Sequence, residues 1–260
     1  MTGAGDRNTP SAATTARRWR IRRVAETGST NADLALAAAT GESDGAVLVA
    51  DVQNSGRGRL GRQWEAPAGS SLMFSVLLRP LRIPAATRGW VGAVLGIAIV
   101  DAIAGLGLQT TLKWPNDVLH GDRKVAGILA EMAGDAVVVG AGINVSQDQT
   151  DLPGPTATSL RLAGAANLDR DALLDTVLGC LGSWLDRWES CSGDVVASGV
   201  RAGYLARLST LGSRVTVHLP DGRDLRGLAR GVGMDGALIV DGDDGMTHRF
   251  SAGDVIHLRR

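Results

Sequence analysis

The chain has 260 residues, with 27 lysines and arginines balanced by 27 aspartates and glutamates, and 44% of it is apolar. A neutral chain of this length can bury a substantial core, and its balance argues against a protein whose main task is wrapping nucleic acid, which carries a basic excess. Two cysteines outside any CxxC pair and four scattered histidines leave no disulfide framework or zinc-ligand spacing, which fits a reducing compartment.

Residues 1–20 are rich in Thr, Ala, Gly and Arg but lack an apolar signal segment, so they read as a disordered lead-in to a cytoplasmic protein. Its last arginines (Arg17, Arg18, Arg20) and the two that follow, Arg22 and Arg23, read as a solvated arm. The stretch Ser29-Thr30-Asn31-Ala32-Asp33 precedes an Ala/Leu run ending at Gly41, which predicts a punctuated helix. A buried strand over 45–53 and an alternating strand over 71–80 flank a glycine- and arginine-rich loop. A helix over 87–105 follows. Its apolar run at 90–100 stops at Asp101, short of the ~18 residues of a membrane span.

Next come strands at 113–119 and 124–132 joined as a hairpin, a strand at 136–145, a long polar loop at 146–159 and a helix over 168–190. That helix shows Leu173, Val177, Leu181, Trp184 and Trp188 on one face. From about 210, short β-rich pieces separated by Asp221-Gly222, Asp235-Gly236, Asp241-Gly242 and Asp244-Gly245 predict a small β barrel. Strands do not alternate regularly with helices, and GxGxxG and P-loop motifs are absent. The predicted class is therefore α+β, a mixed or antiparallel sheet flanked by helices and followed by the barrel. The domain reading is a lead-in at 1–20, a main domain at 21–209 and a barrel at 210–260.

Two clusters carry chemistry. In GRGRLGRQW (56–64), Gly56, Gly58 and Gly61 free the backbone while Arg57, Arg59 and Arg62 offer guanidinium forks to an anion, with Trp64 placed to stack. In KWPND (113–117), Lys113, Asn116 and Asp117 surround a proline turn, a set suited to phosphates and a divalent cation. Lys124 opens the apolar run VAGIL, where a lysine is costly unless it has a partner.

With STN (29–31), Gln53 before GRGRLGRQW, KWPNDV (113–118), RKVAGILAE (123–131) and GINV (142–145), the chain resembles the biotin protein ligases, from about residue 24 to its end. The resemblance implies a catalytic domain related to class II aminoacyl-tRNA synthetases and lipoate ligases, then an SH3-like barrel. It implies two steps. The biotin carboxylate attacks the α-phosphate of Mg-ATP to give biotinyl-5′-AMP, and a lysine of a biotin carboxyl carrier domain of a carboxylase then takes the biotinyl group.

By the same resemblance, Ser29, Thr30, Asn31 and Gln53 bind the biotin ureido group, with Gly56 and Gly127 also beside biotin. Arg57, Gly58 and Arg59 close over carboxylate and phosphate, Trp64 lies along adenine or biotin, and Lys124 is the essential cation. Lys113, Asn116, Asp117 and Arg62 support the triphosphate, with Asp117 toward Mg²⁺. Gly142 and Asn144 approach the adenylate.

Leu60 stands where these ligases usually have arginine, and 28 residues precede Ser29, too few for the DNA-binding domain of some members. The expected protein is a monofunctional ligase, monomeric or weakly dimeric, without specific DNA or membrane binding. The alternatives are a lipoate ligase and, from another class, a nucleic-acid module using the arginine loop.

Overall fold

A computed structural model of the chain describes residues 17–79, 82–219, 222–251 and 253–257. The main sheet has seven strands. In chain order they are β1 (Arg20–Thr27), β2 (Ala46–Gln53), β3 (Ser71–Leu78), β4 (Thr111–Lys113), β5 (Asp117–His120), β6 (Arg123–Ala133) and β7 (Ala136–Asn144). They lie in the order β1-β2-β3-β7-β6-β5-β4, with β1–β2 parallel and the other pairs antiparallel. Four helices accompany them: α1 (Thr30–Ala39), α2 (Val91–Ala104), α3 (Arg170–Ser190) and α4 (Val200–Arg207).

β3 and β7 are buried along their whole length, because helices cover both faces of the sheet. The alternation in β3 divides the two faces. Leu72, Phe74, Val76 and Leu78 join Val94, Leu95, Ile99, Leu181 and Trp188 in the large core against α2 and α3. On the other face, Leu77 meets Val138, Leu48 and α1's Leu34 and Ala38 in a smaller cluster. Farther along that second face the apolar residues give way to Ser75, Gly140 and Gly142. This change in composition places the site at the N-terminal end of α1.

The segment Ala85–Ala104 is long and apolar enough to pass for a membrane span, but 61% of its most apolar 18-residue window is buried in the fold. Asp101 ends the apolar run but not the helix, as expected. Its carboxylate accepts from the Trp184 indole (3.0 Å) and pairs with Arg207 (2.5 Å), so the charge is satisfied inside α2.

The terminal strands β8 (Arg214–His218), β9 (Asp224–Val232), β10 (Leu238–Gly242), β11 (Thr247–Phe250) and β12 (Asp254–His257) form an antiparallel SH3-like sheet in the order β11-β10-β9-β8-β12. Asp235-Gly236 and Asp244-Gly245 do make turns, each with a positive-φ glycine. Asp241-Gly242 does not; it closes β10, where a Cβ on Gly242 would lie 2.3 Å from the Asp244 carboxylate. This module packs on the main sheet. The Trp90 and Trp114 indoles donate to the Met234 and Gly236 carbonyls (2.8 and 3.1 Å), and Arg201 donates to the Val232 carbonyl (2.9 Å).

Two sequence expectations change. Residues 1–16 lie outside the described residues, but the end of the lead-in belongs to the fold. Arg17 is buried against Asp44 (3.0 Å) and Glu189 (2.7 Å), the Trp19 indole donates to the Leu178 carbonyl, and β1 begins at Arg20. Arg20 and Arg23 pair with Glu42 and Asp171 at the surface, and Arg18 and Arg22 are exposed, so of these arginines Arg17 alone has its side chain drawn into the fold. The helix α4 was not anticipated.

Candidate functional site

A cleft of about 300 Å³ opens over the sheet between α1, the 56–64 loop, the β4–β5 turn and the edge of the terminal module. Its deep end is polar. The Gln53 Oε1 accepts from the Thr30 backbone N–H (2.8 Å) and hydroxyl (3.1 Å), and the Thr30 hydroxyl also meets the Ser75 hydroxyl at 2.7 Å. Ser75 donates to the Asn31 Oδ1 (2.6 Å), and the Asn31 Nδ2 donates to the Leu129 carbonyl (3.2 Å) and the Glu131 carboxylate (2.8 Å). The helix signature at Ser29–Asp33 therefore serves more than a helix start. Ser29 makes no side-chain cap bond, and Asp33 turns back to the Thr27 hydroxyl. The buried hydroxyls and amides instead form a fixed array of donors and acceptors facing the cleft.

The floor is made of glycines. Gly140 stands opposite Ser75 in the ladder, and a Cβ there would lie 2.2 Å from the Asn31 Oδ1. Gly142 and Gly127 are register partners, and the Trp64 indole lies on them. A Cβ on Gly142 would come within 2.3 Å of the ring, so the bare backbone gives the indole its seat. The Trp64 Nε1–H is buried without a hydrogen-bond partner.

Cations gather at the other end. The Lys124 Nζ lies 2.6 Å from the Asp117 carboxylate and 5.7 Å from the Trp64 ring centroid. Lys113 faces the same cleft, its ammonium pushed to lower pKa mainly by burial and partly by Lys124 and Arg62, against the pull of Asp117. Arg59 begins a short 3₁₀ turn and lines the cleft. Burial presses its guanidinium in the same direction, and its Nε finds no partner. Three positive groups around one carboxylate make a site waiting for anionic charge.

The loop folds on itself, with a bridge between Arg57 and Gln63, Gly58 N–H to the Arg62 carbonyl (2.7 Å) and Trp64 N–H to the Gly56 carbonyl (2.9 Å). Backbone pairing orders the loop, and the Arg57 guanidinium adds a side-chain tie to Glu131 (3.3 Å).

Ser29, Thr30, Asn31, Gln53, Arg57, Gly58, Arg59, Arg62, Trp64, Lys113, Asn116, Asp117, Lys124, Gly127 and Gly142 all come together in this cleft. Gly56 does not line it; it closes the loop against the Trp64 backbone. Asn144 stands apart too. Its buried amide donates to the Thr158 carbonyl (2.9 Å) and accepts from Gln147 (3.1 Å), tying the 146–159 loop to β7. The Asn116 Nδ2 is committed to the Ile128 carbonyl (2.8 Å), so it braces β6 while lining the cleft.

Sequence reasoning missed Ser75 and Gly140, and from the terminal module His218, Val255 and Ile256, which line the same cleft. A serine within the apolar run SLMFSVLL was a usable signal for Ser75. Local sequence carries none for the three terminal residues.

Comparison with known proteins gives the family. Residues 24–148 match the Biotin/lipoate A/B protein ligase family, and residues 210–258 match the Biotin protein ligase C terminal domain. The chain is 44% identical to a biotin--[acetyl-CoA-carboxylase] ligase of Mycobacterium tuberculosis over 91% of this chain and 88% of that one. It is 34% identical to the enzyme of that name from Paracoccus denitrificans, over 85% and 94% of the two chains. The structure of a biotin protein ligase from Aquifex aeolicus in complex with biotin and ATP superposes with a TM-score of 0.76 at 28% identity, covering 92% of this chain and 99% of that one. With its two parts matched in order and its cleft built from the motifs that first suggested the likeness, the chain belongs to the biotin protein ligase family.

Proposed function

We propose that this chain is an ATP-dependent biotin ligase that makes biotinyl-5′-AMP and passes the biotinyl group to a lysine of a biotin carboxyl carrier domain. The observation that carries this reading is the two-ended cleft. A fixed array of hydrogen-bonding groups suited to a cyclic urea is joined, over a glycine floor, to a cluster of cations suited to a carboxylate meeting a phosphate.

Each residue then has a physical task. Ser29, Thr30, Asn31 and Gln53 hold the ureido group, and Gly127 and Gly142 let the ligand and Trp64 approach the backbone. Attack by the carboxylate oxygen on the α-phosphorus forms a C–O–P anhydride, breaks the α–β bridge and expels pyrophosphate. Negative charge grows on the α-phosphoryl oxygens, where Lys124 and Arg59 are aimed to meet it. Arg57 and Gly58 shield the anhydride from water, while Lys113, Arg62 and Asn116 support the leaving phosphates. In the second step a carrier amine attacks the acyl carbon, AMP leaves and the ammonium proton is lost to solvent.

Mg²⁺ belongs to this reading as the companion of ATP. The described residues hold no cluster of three or more His, Cys, Asp or Glu side chains, and Asp117 is the carboxylate of the cleft lining. That sparse set fits an ion that keeps its waters and binds chiefly to phosphates, with Asp117 as its protein ligand. Bound there, it would neutralise phosphate charge.

The direct test is biotin-dependent exchange of labelled pyrophosphate into ATP, run beside lipoate. Exchange with biotin supports the reading; exchange with lipoate alone would replace it with the lipoate-ligase alternative.

A further result is expected of Arg59→Gly. It removes a guanidinium from the phosphate end, and a charge-assisted hydrogen bond is worth roughly 1.5–3 kcal/mol, so biotinyl-adenylate should dissociate about 10- to 100-fold faster. The escaped active ester would acylate bystander lysines. Biotin blotting of serum albumin incubated with enzyme, biotin and ATP, without carrier, should show strong labelling by the variant. Labelling equal to wild type, with adenylate synthesis intact, would mean that Arg59 does not retain the intermediate.

A further inference from the structure

Glu131 holds none of the roles assigned above. It lies on β6 in the ladder row Leu77–Val138–Glu131, on the sheet face that carries α1, one row beyond Ser75–Gly140–Leu129. It does not line the main cleft. It lines two adjoining recesses instead, one of them beneath the arginine loop. Its side chain is 33% exposed, and a single oxygen, Oε2, serves two partners: the Asn31 Nδ2 at 2.8 Å and the Arg57 Nη2 at 3.3 Å.

The first contact decides which way the Asn31 amide points. An ionised carboxylate can only accept, so the end of Asn31 beside it must be the NH₂. Both hydrogens of that group are then used, on Glu131 and on the Leu129 carbonyl. The opposite end, Oδ1, takes one hydrogen bond from Ser75 and keeps a second lone pair, and Asn31 lines the cleft. Asn31 thus presents an acceptor, which a urea N–H requires; flipped, it would present a donor to a donor and set its own oxygen against the carboxylate. The second contact reaches the loop, because Arg57 begins the bridge that folds residues 57–63 together.

We infer that Glu131 is a positioning residue that joins the two ends of the site, fixing the Asn31 amide for the cyclic urea and pinning Arg57 over the reacting atoms. This rests on the proposed biotin-ligase reading. Seating of the urea and closure of the loop share one carboxylate oxygen, so Glu131 loss is felt at both.

Two variants separate the contacts, with pyrophosphate exchange and release of preformed biotinyl-adenylate as readouts. Glu131→Gln keeps an acceptor oxygen for Asn31 and the shape of the side chain, but loses the charge that draws Arg57. Its KM for biotin should stay within about threefold of wild type while adenylate release quickens about two- to fivefold, the scale of a part-exposed ion pair. Glu131→Ala loses both contacts, so its KM for biotin should rise about tenfold or more with KM for ATP nearly unchanged, and release should quicken as in the Gln variant. A side chain that merely stabilised the sheet would depress melting temperature and turnover together, without parting biotin from ATP or Gln from Ala. The inference is overturned by an alanine variant whose KM for biotin stays within about twofold of wild type, or by unchanged release in both variants. If wild type itself fails to exchange with biotin, the functional reading falls and this inference with it; if wild type exchanges and the variants do not separate, only the inference falls.

Discussion

Lys124→Ala should slow biotinyl-adenylate formation by about 10²–10³-fold while biotin affinity changes by less than about tenfold. Loss of one preorganised charge-stabilising donor typically costs about 3–4 kcal/mol in the transition state and little in the ground state. Preorganisation is visible around the ammonium. Asp117 holds it at 2.6 Å, the Trp64 ring lies beneath it, and the Lys124 backbone is clamped between the Thr156 carbonyl and the Thr158 N–H, both at 2.8 Å. A simpler role would be to neutralise Asp117, and the double variant Lys124→Ala/Asp117→Asn tells the two apart. Single-turnover adenylation should remain slow in the double variant. Recovery to near wild-type rates would mean that the lysine serves the carboxylate and not the phosphate.

Gly142→Ala should weaken biotinyl-adenylate binding by about 10- to 100-fold, the scale of the 1–3 kcal/mol that overpacking costs. The new Cβ would meet Cε2 of the Trp64 indole at 2.3 Å and Cζ2 and Nε1 at 2.6 Å. A rigid ring has no flexible end to move aside, so the whole indole must lift. Calorimetric titration with a non-hydrolysable adenylate analogue measures the loss. Because the substitution acts through the ring, adding Gly142→Ala to Trp64→Ala should cost little more than Trp64→Ala alone. Full additivity, or an affinity within about twofold of wild type in the single variant, would show that the indole is not seated on this glycine for ligand binding.

How much of this was legible beforehand follows from how local each signal is. β2, β3, β6, β7, α1, α2 and α3 were readable because burial on one or both faces leaves a periodic trace within a few residues, whereas the strand expected over 113–119 is split into β4 and β5 by the turn at 114–116. β1 was misread as the end of an arm. Its sequence RIRRVAET pairs on one side only, at the edge of the sheet, and an edge tolerates the arginines that disguise it. The short helix α4 has two buried residues, Val200 and Tyr204, too few to make a stripe.

The site divides in the same way. Thr30, Gln53, Arg59, Lys113 and Lys124 sit in compact motifs whose composition is odd enough to show. Glu131 could not be found that way. It is 100 positions from Asn31 and 74 from Arg57, and only the ladder that sets β6 beside β7 and β3 brings the three together. Asn144 differs in the other direction: it lies in a compact motif, yet it stands outside the cleft lining and its amide ties the 146–159 loop to β7.

The contact between Trp114 and the terminal module bears on how the molecule comes apart. Trp114 belongs to the KWPND turn, yet its backbone N–H donates to the Thr210 hydroxyl and its indole to the Gly236 carbonyl, while Ser209 N–H reaches back to the Leu112 carbonyl. The large apolar core also runs on without a break from α2 into Val215, Val240 and Phe250. Melting should therefore be a single cooperative event in which both parts are lost together, and a nucleotide that tightens the KWPND turn should raise the melting point of the terminal sheet as well. Exchanging that sheet for a foreign one would strip Trp114 of its anchors, so such a chimera would falter first in holding ATP, before any question of meeting a carrier arose.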